Sequence, residues 1–271
     1  MVYSILRRGI TFMKQKDIFI VSQDGLNPQA NQIAVEAIKE LMACFPQYKN
    51  DYPITNLGAW KDTGYIYPEN GKLYLAPYKS TRWHIENAKR DAILDGRPNQ
   101  LNASTLFQTM QTDPTNKEIP QFTILLTKDD LYPNQEMNYC FGLGDEGIGC
   151  VVSARRFSDD SGNIIDCENF KTVLMHEFGH VIGLTYEGRE NSADIYGTHC
   201  TDEDGLCIMQ QRVDGDFSDI TRARLACKRE GLSPICPDCV KAGNRFFAKE
   251  RQQNNVNKIV NQTLRDIGIR R

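Results

Sequence analysis

Residues 176–186 read HEFGHVIGLTY. In the pattern H-E-x-x-H, His176 and His180 stand one helical turn apart, so both imidazoles leave the same face and can share one cation. Glu177 sits beside them, placed to take a proton from water rather than to ligate. Zn²⁺ suits this set, because it lowers the pKa of a bound water toward ~7 and a neighbouring carboxylate completes the deprotonation. Gly183 lets the chain turn back toward the metal instead of running on as helix. With four His in 271 residues, ordinary surface or core histidines are a poor account of this spacing.

Two His do not complete a catalytic zinc site, which takes three protein ligands and an open fourth position. Tyr186 stands where the longer pattern H-E-x-x-H-x-x-G-x-x-H places the third. The candidates downstream are Glu187, Glu190, Asp194 and His199.

The segment 168–184 reads as the helix that carries the motif, and Ser218 opens another helix. Upstream, 17–23 and 121–127 are short, apolar and β-branched, the signature of buried strands. Asn27 is the expected N-cap of a helix that begins with Pro28, and Asn102 caps a second helix. Residues 65–78 alternate around Pro-Glu-Asn-Gly and predict a hairpin. Residues 137–157 predict two strands joined by a Gly-rich turn. That turn contains Gly142-Leu-Gly144-Asp-Glu-Gly147, which fits a dinucleotide fingerprint. A strand follows it instead of a helix, and Asp145 and Glu146 would repel phosphate, so it is read as a hairpin turn. The order predicts an α+β domain whose C-terminal part is mostly helical.

A net charge of -3 gives no reason to expect nucleic acid or anionic membrane as partner. No apolar run approaches the ~20 residues that cross a bilayer. The broken opening segment lacks signal-peptide character, and a cytoplasmic location is expected. Residues 1–12 are read as an extension ahead of the folded part. The nine Cys, at 44, 140, 150, 167, 200, 207, 227, 236 and 239, are odd in number and crowd toward the C-terminus, which favours metal over disulfides. Cys44, Cys140, Cys150 and Cys167 show no metal spacing and are read as core, and Cys227 as a buried small residue. Past Lys241 the chain is basic with an apolar stripe, read as a C-terminal helix packed on the body.

Around His199 the sequence reads HCTDEDGLCIM, followed by CPDC at 236–239. This resembles the archaemetzincins, whose signature continues H-E-x-x-H-x-x-G-x-x-H-C, then C-x-M and C-x-x-C. Here the His-Cys pair follows 13 extra residues, 186–198, and the first Cys gap is six residues instead of four. RPNQLNASTLF, LLTKDDLYP and NYCFGLG resemble further family segments, so the likeness spans about residues 17–240. It implies a metzincin-like twisted mixed sheet with an active-site helix, in a catalytic domain at 13–240. Within it, 13–184 would form the sheet part and 185–240 the zinc-stapled part, with 241–271 as a tail. It further implies a monomeric cytoplasmic zinc metallopeptidase with two Zn²⁺ per chain and a peptide or protein as partner. The catalytic ion would be held by His176, His180 and His199, with Glu177 as general base. A structural ion would be held by Cys200, Cys207, Cys236 and Cys239, where a lone C-x-x-C would suggest redox chemistry instead. Met209 would form an apolar floor beneath the ligands. Substrate would add to the sheet edge at Tyr139, Phe141 and Gly142. The alternative is a catalytically inactive, zinc-stabilised peptide- or protein-binding protein whose cleft the insertion has disabled.

Overall fold

A computed structural model describes residues 16–59, 65–69, 72–76, 81–112, 121–186, 192, 199–201, 207–211 and 216–266. Asp17–Ser22 forms β1, with Ile18 and Ile20 fully buried. Helix α1 (Pro28–Met42) follows, and the Asn27 side chain accepts a hydrogen bond from the Gln29 amide at 3.0 Å. Pro28 costs nothing there, since the first amides of a helix have no intrahelical acceptor.

β1 lies between β2 (Ile54–Ala59) and β6 (Gln121–Thr127), parallel to both. β9 (Gly149–Ser153) continues the sheet in parallel, and β8 (Gly142–Asp145) closes it antiparallel, in the order β2-β1-β6-β9-β8. The expected mixed sheet is therefore present, with β8 at an edge.

Strand alternation sends the side chains of the central strands into two cores. Ile20, Ile124, Leu126, Cys150 and Val152 pack toward α1 and toward α4 (Cys167–Val181). Val21, Leu125 and Val151 pack toward α2 (Thr81–Leu94) and α3 (Ala103–Thr112) on the other face. Sheets of this kind read as continuous apolar runs because both faces are covered. The expected hairpin is formed by β3 (Tyr65–Glu69) and β4 (Lys72–Ala76). The expected cap also holds at α3, where the Thr105 amide donates to Asn102 Oδ1 at 3.0 Å.

Two helices complete the C-terminal part, α5 (Ser218–Glu230) and α6 (Pro237–Asp266). The expected boundary between 240 and 241 falls inside α6. Its Phe247 packs against Phe45, Tyr48 and Tyr52 at centroid distances of 5.3, 5.2 and 5.0 Å. Of the cysteines expected in the core, Cys150 is buried there. Cys44 and Cys167 pack half-buried against one core and Cys140 against the other, while Cys227 is half-buried on α5 and not fully buried as expected. Residues 1–12 and most of the 186–198 insertion lie outside the described residues. Among the described residues no helix is long and apolar enough to cross a membrane.

Candidate functional site

Helix α4 starts at an Asp166 cap, whose carboxylate accepts from the Asn169 amide at 3.3 Å. It ends at Val181, and Gly183 turns the chain with a φ of 61°, a conformation that suits glycine. The Leu184 amide then donates back to the Gly179 carbonyl at 3.0 Å, which returns Thr185 to the side of His180.

The helix presents His176 and His180 with their Nε2 atoms 3.1 Å apart. The His199 ring stands 5.3 Å from both of theirs, so sequence-distant His199 joins the pair. Ligand atoms of all three lie within 4.8 Å of one another. His176 Nδ1 is 2.6 Å from the Ile208 carbonyl, which can only accept, so its proton is on Nδ1 and its Nε2 bears a lone pair. That lone pair points at His180 Nε2. Nitrogen ligands of tetrahedral zinc stand about 3.3 Å apart, so the spacing of this donor set fits zinc. Burial, reinforced by His199, pushes the His176 imidazole down to about 4, so it is neutral and able to ligate at ordinary pH.

Tyr186 is not part of this triad. Its ring faces the Arg245 guanidinium at 5.3 Å and is partly exposed. Glu187, Glu190 and Asp194 lie outside the described residues.

Glu177 is buried at the meeting of α4 and β8, where burial pushes its carboxyl up to about 8. The packing there explains the G-x-G of residues 142–144. A Cβ on Gly142 would sit 2.6 Å from Glu177 Cγ, and one on Gly144 would overlap the Glu177 carbonyl oxygen. These glycines bring the edge strand against the helix, and the hairpin reading, not the dinucleotide one, describes the segment.

Of the three residues expected on the edge strand, Gly142 alone lies within β8. Tyr139 and Phe141 approach it as irregular chain, although the Phe141 carbonyl still accepts from the Ser153 amide at 2.8 Å. Phe141 meets Phe217 edge-on at 5.5 Å, and Phe217 in turn meets His176 at 5.8 Å. Tyr139 is covered by the Arg156 guanidinium, 3.4 Å from its centroid.

Met209 is fully buried, and its sulfur abuts Gly179 between the two helical histidines. Beside it, Cys200, Cys207, Cys236 and Cys239 converge with all four sulfurs within 4.8 Å, and all are buried. Separations of 3.9, 3.3 and 3.8 Å match the about 3.8 Å between sulfurs of a tetrahedral zinc site. Cys207 Sγ also accepts from the Met209 and Cys236 amides at 3.5 and 3.3 Å, bonds that favour thiolate. The expected cluster is therefore assembled, and Cys227 has no place in it.

Sequence reading missed Thr185, whose Oγ1 is 3.2 Å from His180 Nδ1, the Ile208 carbonyl and the small size of Gly179. Ile208 and Gly179 act through neighbours far along the chain, and Thr185 reaches His180 only because the chain turns back at Gly183.

No protein-family model matches the chain. The archaemetzincin of Halobacterium salinarum is 31% identical over 104 residues, which cover 34% of this chain and 60% of that protein, and sequences from two strains give the same match. The chain thus spans less than two thirds of the length of these curated relatives. In structure it is similar to the archaemetzincin of Methanopyrus kandleri, with a TM-score of 0.53 at 20% identity. That superposition covers 86% of this chain and 96% of the other.

Proposed function

We propose that this chain, which resembles the archaemetzincins in sequence and in fold, is a zinc-dependent peptidase. The observation that carries this reading is the convergence of His176, His180 and His199 beside the buried Glu177.

Three imidazoles leave one tetrahedral position open for water or substrate. Zinc held there would supply a Lewis acid that polarises a carbonyl and makes water more acidic. Burial alone favours the protonated carboxyl of Glu177, and the positive charge of a bound zinc would favour its ionised form. That form would take the proton of the attacking water and pass it to the leaving amine as the peptide bond breaks. An extended peptide lies along β8, whose outer side adds main-chain hydrogen bonds to a further strand. Tyr139, Phe141 and Gly142 line that path, and Phe141 with Phe217 forms an apolar wall beside His176. The four cysteines would hold a second, structural zinc, for two ions per chain.

The test is zinc analysis together with hydrolysis of a mixed peptide library by the wild type and by Glu177→Gln. Both proteins should contain two zinc ions, and the wild type alone should cleave. A single zinc in the wild type refutes the two-site reading, and cleavage by the variant at the wild-type rate removes Glu177 from the chemistry.

A further inference from the structure

We infer that Thr185 is a positioning residue that selects the tautomer of His180 and so sets how tightly the histidine triad holds zinc. The inference takes from the peptidase reading that the triad is the ligand set.

A neutral imidazole carries one proton on either of two nitrogens. With the proton on Nδ1, His180 donates to Thr185 Oγ1 at 3.2 Å and its Nε2 lone pair points into the triad. With the proton on Nε2, an N–H is aimed at His176 Nε2, 3.1 Å away, and the ligand position is blocked. In water the Nε2–H form is the commoner tautomer of histidine, so the ligating form needs an acceptor at Nδ1. The Ile208 carbonyl is that acceptor for His176, and the Thr185 hydroxyl takes the part for His180.

The local chain keeps Thr185 in place. The turn at Gly183 and the return bond from Leu184 to the Gly179 carbonyl bring it back over the helix end. Thr185 itself is buried, and the next residue, Tyr186, has its ring against Arg245. The turn that would lead straight into a third histidine in the compact motif here supports the second one.

The test compares Thr185→Val, which keeps the shape and removes the acceptor, with Thr185→Ser, which keeps the hydroxyl. Zinc affinity of the full chain is measured by chelator competition, and the histidine tautomers by long-range proton–nitrogen spectra of protein whose triad is metal-free. Thr185→Val should weaken the triad's zinc by about 10- to 100-fold and raise the Nε2–H population of His180, while Thr185→Ser stays within about threefold of wild type. Zinc at the four cysteines should persist in both and reports an intact fold. Wild-type affinity in Thr185→Val overturns the inference, as does a Thr185→Ser defect as large as that of the valine variant. Should the valine variant misfold, a predominant Nε2–H form of His180 in the wild-type spectrum overturns it alone. Absence of zinc from the wild-type triad refutes the peptidase reading itself, whereas equal affinity in wild type and Thr185→Val refutes only the role of Thr185.

Discussion

The Met209 sulfur lies so close to Gly179 that a Cβ at position 179 would overlap it. Gly179 sits on α4 between His176 and His180, so the thioether packs against the helix backbone that carries both rings. Replacing Gly179 by Ala forces Met209 aside in a fully packed site, and overpacking of this kind costs about 1–3 kcal/mol. Thermal unfolding should show Gly179→Ala destabilised and Gly179→Ala/Met209→Ala less so than the sum of the single changes. Strict additivity would mean that the two residues do not constrain each other.

A second close approach bears on the proposed base. A Cβ at Gly142 would meet Glu177 Cγ at 2.6 Å and the Val151 carbonyl oxygen at 2.7 Å. The sheet carbonyl is fixed by the ladder, so the Glu177 side chain has to give way. A displacement near 1 Å costs on the order of 100-fold in rate. Peptide hydrolysis by Gly142→Ala should fall by about that factor with zinc content unchanged. A variant of wild-type activity would show that Glu177 needs no such placement.

These contacts mark the limit of what the sequence revealed. H-E-x-x-H, the caps at Asn27 and Asn102 and the apolar runs at β1 and β6 are local patterns with local causes, and the fold carries each of them. Helix α2 gave no clear signal, since it buries only Thr81, His84, Ile85, Ala88 and Ala92 while its apolar Ile93 and Leu94 are exposed, which blurs the period. The short pair β5 (Gln100–Asn102) and β7 (Asp130–Tyr132) has three residues a strand, too few to show a period. His199 was reachable only through the Cys pattern around it, because the insertion erased the spacing that identifies a third ligand. Gly142 and Gly144 looked like turn residues because what they make room for, the Glu177 backbone and side chain, is distant in sequence.

Acid should destabilise protein whose triad is metal-free through His176. Burial, and then the neighbouring His199, lowers its folded pKa from 6.5 to about 4. The unfolded chain therefore takes up a proton between about 6.5 and about 4 that the folded protein refuses, and stability falls as pH drops through that window. Below about 4 both states are protonated and the contribution levels off, after a loss of roughly 3 kcal/mol. Urea midpoints from pH 7.5 to 4, measured with metal at the cysteines only, should show this slope in the wild type and not in His176→Asn. Parallel curves would refute the assignment.

Arg224 on α5 is fully buried and joins three helices. It donates to Thr172 Oγ1 at 3.0 Å and pairs with the carboxylates of Glu40 on α1 and Glu168 on α4. Removing the buried guanidinium takes one of the two cations from Glu40 and the donor from Thr172 Oγ1, and leaves a void among three helices, so Arg224→Ala should cost about 2–3 kcal/mol. Lys228 pairs with the same Glu40 from an exposed position, and Lys228→Ala should cost less than about 1 kcal/mol. Denaturant unfolding of the two variants checks the ordering, and equal losses would show that burial does not govern this cluster.

Metal binding at the histidine triad and at the thiol cluster should be coupled through residues 207–209. Cys207 belongs to the thiol cluster, the Ile208 carbonyl accepts from His176 Nδ1 at 2.6 Å, and the Met209 carbonyl accepts from the Cys200 amide at 2.9 Å. On the other strand of this pairing, Cys200 follows His199 directly, so the cluster restrains the backbone that presents one ligand and the acceptor that orients another. Loss of the thiol-bound metal frees both, and outer partners of ligands are worth about 10- to 100-fold in metal affinity. Cys239→Ser, which touches neither His199 nor Ile208 by sequence, should therefore lose its own zinc and weaken the triad's zinc by about that factor. His199→Ala should leave the cysteine site loaded, because four thiolates in a buried tetrahedron need no histidine to close it. Zinc content of both variants, followed by chelator titration of whatever remains, measures the asymmetry. Triad affinity in Cys239→Ser equal to that of the wild type, in protein that stays folded, would make the two centres independent.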